Sequence, residues 1–229
     1  MTRLPEPAAN APGPRTRGAI PTPALLLDLA ALDRNITRMA AFFARGTCRL
    51  RPHVKAHKTL EIARRQLAAG SCSGLTCATV SEAEMVAPIC DDLLIANEIV
   101  SASKCERVAV LARRTRVTVA VDSLAGLDAL SKAARAGGVR VGVLVDVNVG
   151  QNRCGVEPGE AALTLARRAV QSDALDLRGV MGYEGHLQPV RDRTERESRT
   201  RHAMQGLLHA AGQFRAAGFP CDVVSAGGT

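Results

Sequence analysis

Val139-Arg140-Val141-Gly142-Val143-Leu144-Val145-Asp146-Val147 is the stretch on which the fold turns. From Val141 to Val145 it is apolar at odd and even positions alike, so a strand built from it must be covered on both faces. A parallel sheet with helices on one side and a packed interior on the other meets that demand. Outward from it, residues 74–79, 92–96 and 116–122 before it, and 177–183 and 222–225 after it, read as strands of the same kind. Residues 24–28 and 49–56 read as two earlier strands.

Between these runs the apolar residues recur at helical period, near residues 29–45, 59–69, 82–88, 102–113, 124–136, 159–171 and 192–217. Ser81 with Glu84 reads as a capping box, Ser123 as a cap directly after a strand, and Pro158 as a helix start. Gly70, Gly137 and Gly218 stand where helix stops belong. The alternation predicts an α/β fold, a (β/α)8 barrel of the TIM type. An open doubly wound sheet competes, but no Gly-rich dinucleotide fingerprint follows the first strand. The last predicted strand ends four residues from the end of the sequence, so the barrel is expected to be incomplete at its C-terminus. Residues 1–20 carry Arg and Pro without the apolar stretch of a secretory signal and are expected to be a flexible tail, leaving residues 21–229 as the barrel domain.

Composition excludes several classes. Hydrophobic residues are 46% and charged residues 23% of the 229, an ordinary globular balance. No apolar run approaches the ~18 residues of a membrane span. The net charge of +8 comes from 30 Lys+Arg against 22 Asp+Glu, but the arginines are scattered over helical stretches, and one Tyr, four Phe and no Trp offer few stacking platforms for nucleic acid. The seven cysteines form no C-x-x-C pair and have no histidine at zinc-ligand spacing, so free thiols and a cytoplasmic location are expected.

Reactive side chains of such barrels gather at the C-terminal ends of the strands. Five places qualify: residues 51–58, Asn97-Glu98, residues 148–154, residues 182–186 and residues 225–229. In the first, Lys55 has His53 and His57 two positions away on either side, and on a strand all three would share a face. A lysine among cationic groups gives up its proton more readily, and the neutral amine is the nucleophile of Schiff-base chemistry. An exposed lysine beside a strand end is the plain alternative, and Lys58 competes for the role should the register slip. In the last, Ser225-Ala226-Gly227-Gly228-Thr229 presents backbone N–H groups that suit an anion such as phosphate, or is simply a turn. Cys154 is expected to pack in the core, and His202 and His209 to face solvent from the long helix.

A lysine at the end of the first barrel strand and a Gly-Gly-Thr anion site at the end of a late one resemble the fold-type III pyridoxal phosphate enzymes, with their alanine racemase-like barrel. The blocks at residues 22–28, 51–58, 81–84, 152–156, 182–186 and 225–229 resemble, in order, those of the D-threonine aldolase and D-serine dehydratase group. The resemblance implies that Lys55 carries pyridoxal 5'-phosphate as a Schiff base and that Arg153 holds its phenolic oxygen. It further implies that His186 lies against the pyridine ring, that Tyr183 contacts the cofactor, and that Gly227, Gly228 and Thr229 hold its phosphate. Ala226 stands where the family usually has a third glycine. Gly182-Tyr183-Glu184-Gly185-His186 resembles the aldolase branch, which implies cleavage of D-threonine or a related D-3-hydroxy amino acid to glycine and an aldehyde. The alternative is dehydration of D-serine or 3-hydroxyaspartate to a 2-oxo acid. A divalent metal, Mn or Mg, is implied for the full-length family, with ligands in a C-terminal segment that this sequence does not contain. A homodimer and a small D-amino acid substrate are implied as partners. A non-catalytic pyridoxal phosphate carrier and an inactive fragment are the competing readings.

Overall fold

The computed structural model describes residues 16–227 of the chain. Its sheet has six strands, β1 (Leu75–Cys77), β2 (Asp92–Glu98), β3 (Arg116–Val121), β4 (Val141–Asp146), β5 (Leu175–Met181) and β6 (Val223–Ser225). They lie in sequence order and every pair is parallel. With no reversal of order, each crossover steps the same way, and the sheet curls into a half-barrel. A doubly wound sheet would reverse at a switch point, so the competing architecture is excluded.

Among the described residues seven α-helices accompany the strands: α1 (Leu29–Ala44), α2 (Leu60–Ala68), α3 (Val80–Val86), α4 (Ala102–Leu111), α5 (Leu124–Gly137), α6 (Glu160–Val170) and α7 (Arg193–Ala216). On α7 the buried residues Ala203, Leu207, Ala210, Ala211 and Phe214 form a single stripe at helical spacing. Leu207, Ala210, Ala211 and Phe214 of that stripe join the large core between helices and sheet, in which Val141, Val143 and Val145 of β4 are fully buried. On the other face, Leu94, Ala120, Leu144 and Met181 from four successive strands make a second, smaller cluster, the barrel interior. The both-sided apolar pattern of β4 is thereby explained.

Two predicted strands do not form. Residues 24–28 pair with no strand among the described residues, and Leu25, Leu26 and Leu27 are exposed. Residues 49–56 make only single parallel bridges, Leu50 to Cys72 and His53 to Thr76, before Val54–Ala56 turns as a 3-10 helix. Caps also shift. Thr79, not Ser81, caps α3 by accepting the Glu82 N–H at 3.1 Å, while Ser81 accepts from Arg107. The left-handed stop after α5 falls on Gly138 rather than Gly137. Ser123 caps α5 as predicted. The proposed tail lies outside the described residues as far as residue 15; Arg17–Ala19 is an exposed 3-10 turn.

Candidate active site

The C-terminal ends of the strands form the mouth of the half-barrel, and three of the predicted residues meet there. Tyr183, just past β5, is central. Lys55 Nζ lies 5.3 Å from the centroid of its ring and the Arg153 guanidinium carbon 5.5 Å from it. Cation–π attraction favours both approaches. Gln188 Nε2 donates to the Tyr183 hydroxyl at 3.2 Å. A Cβ at Gly185 would collide with the Tyr183 ring, so this glycine is what lets the ring lie down.

Lys55 sits on the exposed 3-10 turn rather than on a strand, and the turn separates the three residues expected on one face. His53 Nδ1 accepts the Lys55 backbone N–H at 3.3 Å, while His57 turns to α2, where its Nε2 is 3.2 Å from Gln66 Oε1. Burial first, and then the charge of Lys55, lower the His53 imidazole to about 4. It is therefore neutral at physiological pH. The competing lysine is engaged elsewhere: Lys58 Nζ lies 3.3 Å from Oε1 of the buried Glu82. Glu82 Oε2 accepts the Ala78 N–H at 2.8 Å, which fixes the acid.

Arg153 is presented by the loop after β4. Asn148 knits that loop: its Oδ1 accepts the N–H groups of Gly150 and Asn152 at 3.0 and 3.1 Å, and its amide donates to Asn152 and Glu157, both at 2.8 Å. A backbone bond from Asn148 N to Val156 O, 2.8 Å long, closes the loop. Gly150, at φ +108°, passes close under the His186 ring, where a Cβ would come within 3.2 Å of Nε2. His186 lies on the 3-10 turn Gly185–Leu187, and its Nδ1 is buried without a hydrogen-bond partner.

Gly227, at φ +116°, follows β6 on the same rim, where the Gly182 N–H donates to Ser225 O at 3.0 Å. Gly228 and Thr229 lie outside the described residues. His202 and His209 are exposed on α7, as predicted.

Cys154 is half-buried at the mouth instead of packed in the core. Its sulfur, a carboxyl oxygen of Glu98 and one of Asp146 lie within 4.8 Å of one another. An irregularity between Ile95 and Glu98 in the pairing of β2 with β3 re-aims Glu98. The cation facing this group is the Arg153 guanidinium, which lies against Cys154 and senses Glu98. The cluster is thus a counter-charge to Arg153. Asp146 escaped the sequence reading; its only signal is an acid closing an otherwise apolar strand.

A half-barrel of parallel strands with a lysine and an arginine converging on a tyrosine at its mouth defines the class: an α/β barrel with a cationic and aromatic cluster at the C-terminal ends of its strands. Residues 27–229 match the model of the alanine racemase N-terminal domain, and the chain belongs to that family. It is 40% identical over 228 residues to a D-threonine aldolase of an Arthrobacter species, covering 99% of this chain and 59% of the relative. The crystal structure of D-threonine aldolase from Filomicrobium marinum superposes with a TM-score of 0.88 at 42% identity, covering 91% of this chain and 57% of the other. A D-threo-3-hydroxyaspartate dehydratase of a Delftia species superposes at 0.84 with 31% identity, covering 91% and 55%. The chain therefore spans little more than half the length of these relatives. Among the described residues no helix is long and apolar enough to cross a membrane.

Proposed function

We propose that this chain is the cofactor-binding part of a pyridoxal phosphate-dependent lyase that cleaves D-threonine or a related D-3-hydroxy amino acid to glycine and an aldehyde. The observation that carries the reading is the convergence of Lys55 and Arg153 on Tyr183, with Lys58 withdrawn onto Glu82. The donor set fits the group: a primary amine for an aldehyde, a guanidinium for a phenolic oxygen, an aromatic face for a ring, and a glycine-bearing strand end at Gly227 for a phosphate. The unpartnered Nδ1 of His186, aimed into a buried place, is a polar atom that a bound group would complete.

Lys55 would carry the cofactor and Arg153 would hold its oxygen in register, with Tyr183 and His186 bordering the ring and Gly227 to Thr229 receiving the phosphate. When bound, pyridoxal phosphate supplies an electron sink for charge released at the substrate's α-carbon. The chain's own residues orient it: Asn148 fixes the loop that carries Arg153, and Gln188 fixes the Tyr183 hydroxyl. The higher identity to the aldolase than to the dehydratase favours the aldolase reading. A divalent metal and a homodimer belong to the same proposal.

The test is an absorbance spectrum of the purified chain with added pyridoxal phosphate, before and after borohydride reduction, followed by peptide mapping. A band in the visible violet and a label confined to Lys55 are expected. A label spread over all four lysines would overturn the reading. Incubation with D-threonine and Mn2+ then separates the chemistries: glycine and acetaldehyde mark the aldolase, ammonia and a 2-oxo acid the dehydratase.

A further inference from the structure

Asp146 ends β4 at the mouth with 6% of its surface exposed. It is surrounded by acids and a thiol: Glu98 from β2, Asp122 beyond β3 and Cys154 from the following loop, while Arg153 and Tyr183 line the same small cavity. Asp122 is itself fixed, since its carboxylate accepts the Gly155 N–H at 3.3 Å. A carboxyl oxygen of Glu98 lies within 4.8 Å of one of Asp146, and its closeness disfavours ionisation of Asp146. Burial, and next the neighbouring Glu98, push Asp146 up to about 7. On its other side the Cys154 sulfur lies against the guanidinium of Arg153.

Resting on the cofactor site proposed above, we infer that Glu98, Asp146 and Cys154 are positioning residues for Arg153. The thiol holds the guanidinium on the mouth side. The proton kept on Asp146 limits the negative charge beneath it, so that the guanidinium stays over Tyr183 instead of folding back onto the acids. Loss of that proton adds a negative charge under Arg153 and under any anionic ligand it holds.

Two readouts test this, one with cofactor and one without. The first is the pyridoxal phosphate affinity, followed by absorbance at about pH 6 and about pH 8.5, for the unchanged chain and for Asp146→Asn, Glu98→Gln and Cys154→Ala. Asn at 146 mimics the protonated acid, so Asp146→Asn should match the unchanged chain at the lower pH and bind roughly three- to tenfold more tightly than it at the higher. Glu98→Gln should do the same, and Cys154→Ala should weaken binding at both. The second readout is the rate of phenylglyoxal labelling of Arg153 in the cofactor-free protein, mapped by peptide. Divided by the rate for free arginine at the same pH, it should fall between the two pH values in the unchanged chain and stay level in Asp146→Asn. A packing role alone would alter neither pH profile. Equal pH profiles for the unchanged chain and Asp146→Asn in the labelling experiment overturn the inference whether or not cofactor binds. Failure of the unchanged chain to bind cofactor overturns the function reading alone.

Discussion

Lys58 Nζ and Oε1 of Glu82 are 3.3 Å apart, in a pair whose acid keeps only 8% of its side-chain surface exposed. The nearly buried carboxylate has a second bond from the Ala78 N–H at the start of α3, so the acid is fixed before the lysine reaches it. Lys58 also adopts a left-handed backbone, φ 50°. The two lysines, three residues apart, thus have different partners.

That division predicts the outcome of borohydride labelling with pyridoxal phosphate. Lys55→Ala should abolish the reducible adduct, whereas Lys58→Met should retain it at Lys55 and lower stability by about 1–3 kcal/mol, because Glu82 is left buried without its cation. Peptide mapping and a urea titration check both halves. Transfer of the adduct to Lys58 in the Lys55 variant would contradict the assignment.

Gly185 gives a second prediction. Its missing side chain is the space into which the Tyr183 ring lies. Gly185→Ala should displace the ring at an overpacking cost of about 1–3 kcal/mol, visible in thermal melts. Since Lys55 and Arg153 both face that ring, cofactor affinity should fall by roughly tenfold or more. Tyr183→Phe, which keeps the ring and loses only the bond from Gln188, should be much milder.

How much of this was legible in the sequence depends on where each element finds its partners. The strands from residue 74 onward were readable because their apolar runs are covered on both sides by segments of the same chain. Leu25-Leu26-Leu27 is just as apolar, yet it remains exposed with no strand beside it among the described residues, and pattern alone cannot supply a partner. In residues 49–56 only Pro52 and Val54 are fully buried, so the run gives two bridges and then a turn. Lys55 stands out by its neighbourhood in the sequence, although it lies on a 3-10 turn and not on a strand. Asp146 was harder, because it hides at the end of an apolar strand. Glu98 stands among the candidate places, but the pairing irregularity beside it is encoded by no period.

Asn148 yields a third prediction because four hydrogen bonds converge on its side chain to shape the loop that carries Arg153. Asn148→Ala removes all four, and the left-handed Asn152, φ 54°, loses two of its restraints with them. The loop is largely exposed, so the stability loss should be modest, about 1 kcal/mol. The effect on cofactor affinity should be larger in proportion, because a guanidinium held loosely loses orientation before it loses charge. Comparison of denaturant midpoint with cofactor affinity separates the two. A large loss of stability with unchanged affinity would count against the role of Asn148 in placing Arg153.

His53 and Asp146 together make a prediction about pH. The His53 imidazole is lowered to about 4 in the folded chain against 6.5 when unfolded, by burial and by Lys55. Between those values the unfolded state binds the extra proton, so this group's contribution is complete above about pH 6.5 and is lost as pH falls towards 4. The full shift corresponds to about 3 kcal/mol, which solvent screening at a half-buried ring reduces to about 1–2 kcal/mol. Asp146 acts in the opposite sense: its folded carboxyl is raised from 3.8, so the folded state holds the extra proton and stability declines as pH rises through that range. The two slopes oppose each other between pH 4 and 6.5, and because the buried Asp146 is screened less than the half-buried His53 ring, the unchanged chain should weaken there as pH rises, less steeply than His53→Gln. Asp146→Asn removes the declining slope and should expose the His53 rise of about 1–2 kcal/mol; His53→Gln should do the reverse, leaving a chain that weakens as pH increases. Urea unfolding midpoints at half-unit steps of pH decide it, and parallel profiles for the two variants would show that neither titration is coupled to folding.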